Sequence, residues 1–355
     1  MVNNEVNSLV IIDSVYINQS GGKVLLETFI SKLLKKNEIE YFFFLFDIRI
    51  KLNENIDLNR LNFLILNNSE KSRKQFYDKN RNRIKSIFCF ANVPPPIKFH
   101  DKSVFIYFHN TLLLDNKFSN LSKINVFMIL LKRIYIKFKI VDNYNWIVQS
   151  PLICDSLSEK FQVKKSNIEI LPIFNIANFI NCNLNKKEFD NHYLYVADSS
   201  EQKNHNILLD AWELFANKID KSRVFLHLTL SVNSSQKLLE RIDLMRFNGY
   251  NIMNHGFCNY DKIISLYSKC NFLIYPSLAE SFGLPLVEAA AAGCKVLSSH
   301  LPFVFQVIEP SLTFNPNDST SIADVLLITQ QNIPIKSSIL RVESKIDELI
   351  KKITS

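Results

Sequence analysis

Between Tyr275 and Leu297 the chain reads YPSLAESFGLPLVEAAAAGCKVL, with Glu280 and Glu288 on either side of a Phe-Gly-Leu-Pro turn. Carboxylates accept hydrogen bonds from sugar hydroxyls, and the free amides at a helix start suit a phosphate. Tyr275 ends an apolar run, so a strand precedes the glutamates. Pro285 suits the first position of a helix and biases Leu284 toward extended geometry. The helix is expected to run through the alanines to Gly293, with Glu280 in the loop and Glu288 in the first turn. Both carboxylates and the amides from Phe282 to Leu286 can then face one space, and a site of that chemistry would hold a nucleotide sugar. Attraction to the helix dipole alone explains Glu288, but leaves Glu280 and Gly283 without a reason.

The chain has only six glycines, Gly21, Gly22, Gly249, Gly256, Gly283 and Gly293, so each is expected to serve the backbone. Gly21 and Gly22, in YINQSGGKVLLE, stand between the first strand and a helix. Amides and helix dipole there can face an anion or a closely approaching substrate. A tight strand-to-helix turn explains them equally well. His109 closes the run FIYFH, where backbone contact alone could satisfy it. His100, His192, His205, His227, His255 and His300 lack ligand spacing and read as ordinary hydrogen-bonded side chains. No Asp-x-Asp pair occurs, which removes the usual metal–diphosphate pattern. The six scattered cysteines form no CxxC and read as reduced thiols of a cytoplasmic protein.

Positioning these residues requires a frame of strands and helices. Apolar runs at Leu9–Ile17, Tyr41–Phe46, Asn62–Leu66, Ser86–Ala91, Val104–His109, Trp146–Gln149 and Ile168–Pro172 read as one series of strands. A second comprises Tyr193–Ala197, Val224–Leu230, Asn251–Gly256, Asn271–Tyr275, Lys295–Ser299 and Leu312–Phe314. Several are apolar throughout, as parallel strands buried on both faces require. Helical patterns intervene at Gly22–Lys36, Leu152–Phe161, Asn204–Phe215 and Asp261–Cys270. The rhythm predicts an α/β protein with two Rossmann-like domains, 1–175 and 176–335, and a C-terminal helix in 336–355. The polar, Asn-rich stretch from Ile173 to Tyr193 is the expected linker. Ligands of open parallel sheets sit beyond the carboxyl ends of the strands, which points to the cleft between two such domains.

PSLAESFGLPLVEAAAAGCKVLSS resembles the Glu-x7-Glu pattern of the family 4 (group 1) retaining glycosyltransferases, which have the GT-B fold. SGGKVLLE, FIYFHN, WIVQSPLICDSL, YVADSSEQKNHNILLDAW and HGFCNYDKIISLYSKCNFLIYPS are similar to further segments of that family, in the same order. The resemblance implies that Glu280 holds donor-sugar hydroxyls beside the backbone of Phe282, Gly283 and Leu284, and that Glu288 binds the ribose. It implies that Lys203 neutralises the departing diphosphate and that His109 lines the donor-sugar pocket. Gly21 and Gly22 would let diphosphate or acceptor approach, and Phe257 falls where the base packs. It further implies front-face transfer in a closed cleft, from a UDP- or GDP-linked donor, without metal. The acceptor would be a growing glycan, plausibly lipid-linked, in lipopolysaccharide or capsule assembly. One departure stands out. The family often has an arginine five residues before its lysine, where this chain has Asp198. That acid leaves open a catalytically silent relative that binds a nucleotide within an assembly complex.

The 355 residues are 47% hydrophobic with a formal charge of +8, which excludes a disordered chain and suits an anionic partner. No uncharged apolar run approaches the ~18 residues of a membrane span, and the N-terminus lacks the marks of a secretory signal. Lys71–Lys85 carries seven bases and one acid. Lys123–Ile140 mixes bulky apolar residues with five bases and no acid. A basic amphipathic helix there could lie on an anionic leaflet, making the protein peripheral on the inner face of the membrane; a buried helix with solvated lysines fits the same pattern. Binding to nucleic acid rests on charge alone, without a recognition motif. An epimerase on the same fold would need no acceptor.

Overall fold

The structure is a computed structural model that describes residues 9–36, 39–115, 123–183 and 189–355. It divides into two compact units, Met1–Phe174 with Glu343–Ser355, and Asn175–Val342.

The first unit is built on seven parallel strands: β1 (Leu9–Ser14), β2 (Phe42–Asp47), β3 (Asn62–Leu66), β4 (Ile84–Cys89), β5 (Ser103–Phe108), β6 (Asn145–Val148) and β7 (Ile168–Ile170). Their order across the sheet is β3-β2-β1-β4-β5-β6-β7. Side chains alternate between two cores. On one face Val10, Ile12, Phe44 and Phe88 meet Leu26, Phe29 and Leu33 of α1 (Ser20–Lys36). On the other, Ile11, Leu45, Ile87 and Ile106 meet Tyr77 of α2 (Glu70–Asn80), Ile136 of α3 (Lys123–Lys139) and Leu157 of α4 (Pro151–Phe161). Each large side chain buried this way contributes about 1.5–3 kcal/mol. The basic segment 71–85 is mostly helix α2, capped by Ser69, and its Arg73 turns inward to 1% exposure.

The second unit repeats the plan. It opens on α5 (Ala177–Asn183), a helix within the stretch expected to be an aperiodic linker; residues 184–188 of that stretch lie outside the described residues. There follow β8 (Phe189–Tyr195), α6 (His205–Ala216), β9 (Phe225–Leu228), α7 (Gln236–Phe247), β10 (Ile252–Asn254), α8 (Tyr260–Lys269) and β11 (Cys270–Tyr275). Then come α9 (Leu284–Ala291), β12 (Lys295–Ser299), α10 (Pro302–Val307), β13 (Ile308–Glu309), β14 (Leu312–Phe314), α11 (Ser319–Ile328) and β15 (Ile339–Leu340). The parallel sheet has the order β10-β9-β8-β11-β12-β14, and β13 pairs antiparallel with β15. Two parallel sheets, each flanked by helices, are the paired Rossmann-like architecture of GT-B proteins.

The C-terminal helix expected in 336–355 is shorter than that range. β15 takes Ile339–Leu340, and α12 spans only Ile346–Thr354. Ile346, Leu349, Ile350 and Ile353 complete the α1 face of the first unit's core. Asp347 pairs with Lys32 and Lys36 of α1 at 2.7 Å each.

Candidate functional site

In each sheet the strand order reverses beside the first strand of its unit: β1 next to β4, and β8 next to β11. Chains leaving such a pair diverge and open a crevice at the carboxyl ends. Most of the residues singled out from the sequence lie on loops and helix starts near these two places, and Phe257 lies apart, beyond the edge strand β10.

In the second unit the loops after β8 and β11 are tied together. Leu278 donates its amide to the Gln202 carbonyl at 2.8 Å. Asn204, left-handed at φ 60°, donates its side-chain amide to the carbonyls of Pro276 (3.3 Å) and Pro316 (2.7 Å). Tyr195, fully buried at the end of β8, donates its hydroxyl to the Lys203 carbonyl at 2.6 Å. With its main chain so held, Lys203 places Nζ 2.6 Å from Glu280 Oε1. The Tyr275 hydroxyl donates to the same oxygen at 2.8 Å. The Lys203 and Glu280 side chains keep 14% and 12% of their surface, so the pair is reachable. A partly desolvated ammonium with three donors can exchange or share one carboxylate for a phosphate.

Asp198 does not project into this cluster. It is exposed, and Oδ1 accepts the Ser200 amide at 2.9 Å. Its carbonyl accepts from His205 Nε2 at 2.7 Å. The acid at the expected arginine position therefore caps its own loop.

Glu288 sits in the second turn of α9, not the first, and is 7% exposed. Burial pushes its carboxyl up to about 8. The Tyr267 hydroxyl lies 3.2 Å from Glu288 Oε2 and 3.3 Å from the Pro285 carbonyl. A protonated Glu288 can donate to Tyr267, which then donates to Pro285, satisfying every group. The two glutamates have separate partners: Lys203 and Tyr275 for Glu280, and Tyr267 for Glu288. Leu284 opens α9, so its expected extended geometry gives way to the helix, which ends at Ala291. Gly283 caps it at φ +80°, where an added Cβ would come within 2.9 Å of Leu286. The Leu286 amide is already bonded to the Gly283 carbonyl at 2.9 Å and is not a free donor. The Phe282 ring is buried, whereas Phe257 is 76% exposed beyond β10.

In the first unit His109 follows β5 and donates its amide to Asn92 Oδ1 at 2.6 Å. Its Nε2 lies 3.1 Å from the Phe90 carbonyl, which selects the tautomer with Nδ1 as acceptor. Burial lowers His109 to about 4, so the ring is neutral near pH 7. Gly22 lies against it: a Cβ there would come within 3.2 Å of His109 Cε1 and of Ile17. Gly21 meets nothing within 4 Å. Both glycines lie inside the first turn of α1, which starts at Ser20.

A second polar group at these strand ends was not foreseen from sequence. Arg73 of α2 donates Nε and Nη2 to Asp13 Oδ2 at 3.0 and 2.8 Å, and Tyr77 donates to the same oxygen at 2.8 Å. Arg73 Nη1 and the Tyr16 hydroxyl, each at 2.6 Å, and the Tyr135 hydroxyl converge on Glu70. Burial pulls Glu70 up, but Arg73 and the two tyrosines outweigh it and hold the carboxyl below its usual range. His192, His227 and His255, read as ordinary hydrogen-bonded side chains, bond to one another. They form a hydrogen-bonded row across β8, β9 and the end of β10, at 2.7 and 2.8 Å. Among the described residues no three His, Cys, Asp or Glu side chains converge so as to hold a metal ion.

Residues 178–328 match the model of the family described as glycosyl transferases group 1. They contain the loops of Lys203, Glu280 and Glu288. The chain is related to the group 1 glycosyl transferases. Over 234 residues it is 26% identical to the O-antigen chain mannosyltransferase RfbU of Salmonella typhimurium, covering 63% of this chain and 64% of that relative. Over 140 residues it is 29% identical to the serotype-specific mannosyltransferase WbdA of Escherichia coli, covering 39% of this chain and 17% of WbdA. The fold is similar to that of Anabaena Alr3699/HepE, solved in complex with UDP and glucose, with a TM-score of 0.65 at 14% identity over 91% of this chain and 90% of that one. The group 1 relationship and the Lys203–Glu280 pair thus fall on the same unit of this chain.

Proposed function

We propose that this chain is a glycosyltransferase that moves a sugar, with retention, from a nucleotide-sugar donor to a glycan acceptor in surface-polysaccharide assembly. The Lys203–Glu280–Tyr275 cluster at the β8–β11 reversal carries this reading. A base facing an acid, both partly open to solvent, matches a donor with a diphosphate at one end and sugar hydroxyls at the other. In the reaction the bond from the anomeric carbon to the diphosphate oxygen breaks. A bond to the acceptor oxygen forms on the same face, and the acceptor proton passes to the leaving phosphate. Lys203 takes up the developing diphosphate charge in place of a metal. Glu280 orients the sugar, Glu288 the ribose, and neutral His109 accepts from a substrate hydroxyl through Nδ1. The backbone of Phe282, Gly283 and Leu284 borders the sugar and Phe257 the base, with Gly21 and Gly22 as the close-approach turn. RfbU and WbdA are mannosyltransferases, which supports a mannosyl donor. The acceptor is lipid-linked, so that transfer takes place at the cytoplasmic face of the membrane.

The decisive experiment offers a panel of UDP- and GDP-sugars with extracted glycan acceptors and follows transfer. One donor is expected to be used, with the α or β configuration of its anomeric carbon kept in the product. Glu280→Gln should lower turnover about 100-fold or more. Unchanged transfer by Glu280→Gln would remove the assignment.

A further inference from the structure

We infer that the outer face of α3 is a docking surface for an anionic lipid leaflet, which the helix meets lying in the plane of the interface. Ile124, Phe127, Met128, Leu131, Ile134 and Phe138 are all exposed, Ile124 at 75% and Phe138 at 72%. At 100° per residue these six fall within an arc of about 120°. Lys132 and Lys137, both exposed, lie about 40° and about 60° beyond its two margins. The helix carries no acid.

The opposite face fixes this orientation. Arg133 is 6% exposed and donates to the carbonyls of Leu113 (2.9 Å), Leu112 (3.0 Å) and Asp115. Ile136 is fully buried, and Tyr135 is bonded to Glu70. Rolling the helix to hide its apolar arc would strand the Arg133 guanidinium and the Glu70 partners away from their hydrogen bonds. The exposed arc is therefore a fixed feature of the unit.

The chemistry of the arc selects its occupant. An apolar stripe with a lysine beyond each margin and no acid on the helix complements an anionic, apolar-cored surface better than a protein face of mixed charge. A leaflet offers acyl chains below and anionic headgroups at the level where flanking lysines end. Among the described residues no helix is long and apolar enough to cross a membrane, so attachment is by in-plane insertion. Phe127 and Phe138 would reach the headgroup–acyl boundary, and Lys132 and Lys137 the phosphates.

The test sediments the full chain with phosphatidylcholine vesicles and with vesicles containing a quarter phosphatidylglycerol. Neither donor nor acceptor is present, so the outcome is separate from that of the transfer reaction. Binding is expected to the anionic vesicles and to weaken at 0.5 M salt. The double variant Phe127→Ser/Phe138→Ser should lose at least about tenfold in partition with an unchanged melting temperature. Lys132→Glu/Lys137→Glu should lose the preference for anionic lipid. Absent binding, equal binding to both vesicles, or full binding by the Phe variant would overturn the inference. So would a wild-type dimer in light scattering that the Phe variant converts to monomer, since a second copy would then cover the face.

Discussion

Two charged pairs stand at corresponding strand ends, and their surroundings differ. Arg73 and Asp13 meet at 2.8 Å with 2% and 0% of their side chains exposed, whereas Lys203 and Glu280 meet at 2.6 Å with 14% and 12%. Removing ions from water costs several kcal/mol each, offset only where the remaining donors and acceptors are filled. Arg73 meets that condition through Asp13, Glu70 and the Pro94 carbonyl. Lys203 does not: among the described residues its ammonium has one acceptor, Glu280. The first pair is closed and holds α2 on its sheet. The second is a partly open pair whose ammonium keeps donors for a further acceptor.

Substituting each base separates these roles. Arg73→Met leaves the buried Asp13 without its cation, with Tyr77 still donating to it, and should destabilise the first unit by about 3–5 kcal/mol in urea unfolding. Lys203→Met should cost less, about 1–3 kcal/mol, because Tyr275 still donates to Glu280, yet slow transfer about 100- to 1000-fold. A stability loss at Lys203 equal to that at Arg73 would break the comparison.

A pH experiment sharpens it with a lone buried acid. Glu288 holds its proton up to about 8 in the folded chain, against an ordinary value of 4.5. Between those values the unfolded chain has released a proton that the folded one keeps, so stability falls as pH rises, by at most about 1.4 kcal/mol per pH unit. The slope ends above the folded value. Glu288→Gln should flatten it, measured as unfolding midpoints between pH 5.5 and 8.5. A slope unchanged in the variant would place the proton elsewhere.

Most strands were legible because buried parallel strands are written as apolar runs. Lys295–Ser299 and Leu312–Phe314 coincide with β12 and β14, and Asn62–Leu66 with β3, an edge strand that is apolar although largely exposed. The two-residue strands β13 and β15 were not, since two residues show no period. Helix α5 hides in an Asn-rich stretch because its signal is Phe179, buried by tertiary packing rather than by a local pattern. The site was legible where its residues are close in sequence, as from Glu280 to Glu288. It was illegible where partners come from distant elements: Arg73 and Asp13 are 60 residues apart, and His192 and His227 are 35 apart. Tyr195 and Tyr275 offered a missed cue, a hydroxyl at the last residue of each strand beside the reversal.

The smallest effect belongs to the most exposed pair. Asp347 opens α12 with 58% of its side chain exposed and accepts from Lys32 and Lys36 of α1. Hydrogen bonds from the two lysines hold it below its usual range. Its contribution is present above the ordinary aspartate value and is lost as pH falls through the lowered one. Solvent screens the pair, and the lysines give up side-chain entropy to hold it, so Asp347→Asn should cost only about 0.2–1 kcal/mol. In 1 M salt the difference should vanish, whereas that of Arg73→Met should persist because its ions are shielded from the electrolyte. A salt-insensitive loss at Asp347 would mean that α12 depends on this contact rather than on Ile346, Leu349, Ile350 and Ile353, and exposure would no longer rank the three pairs.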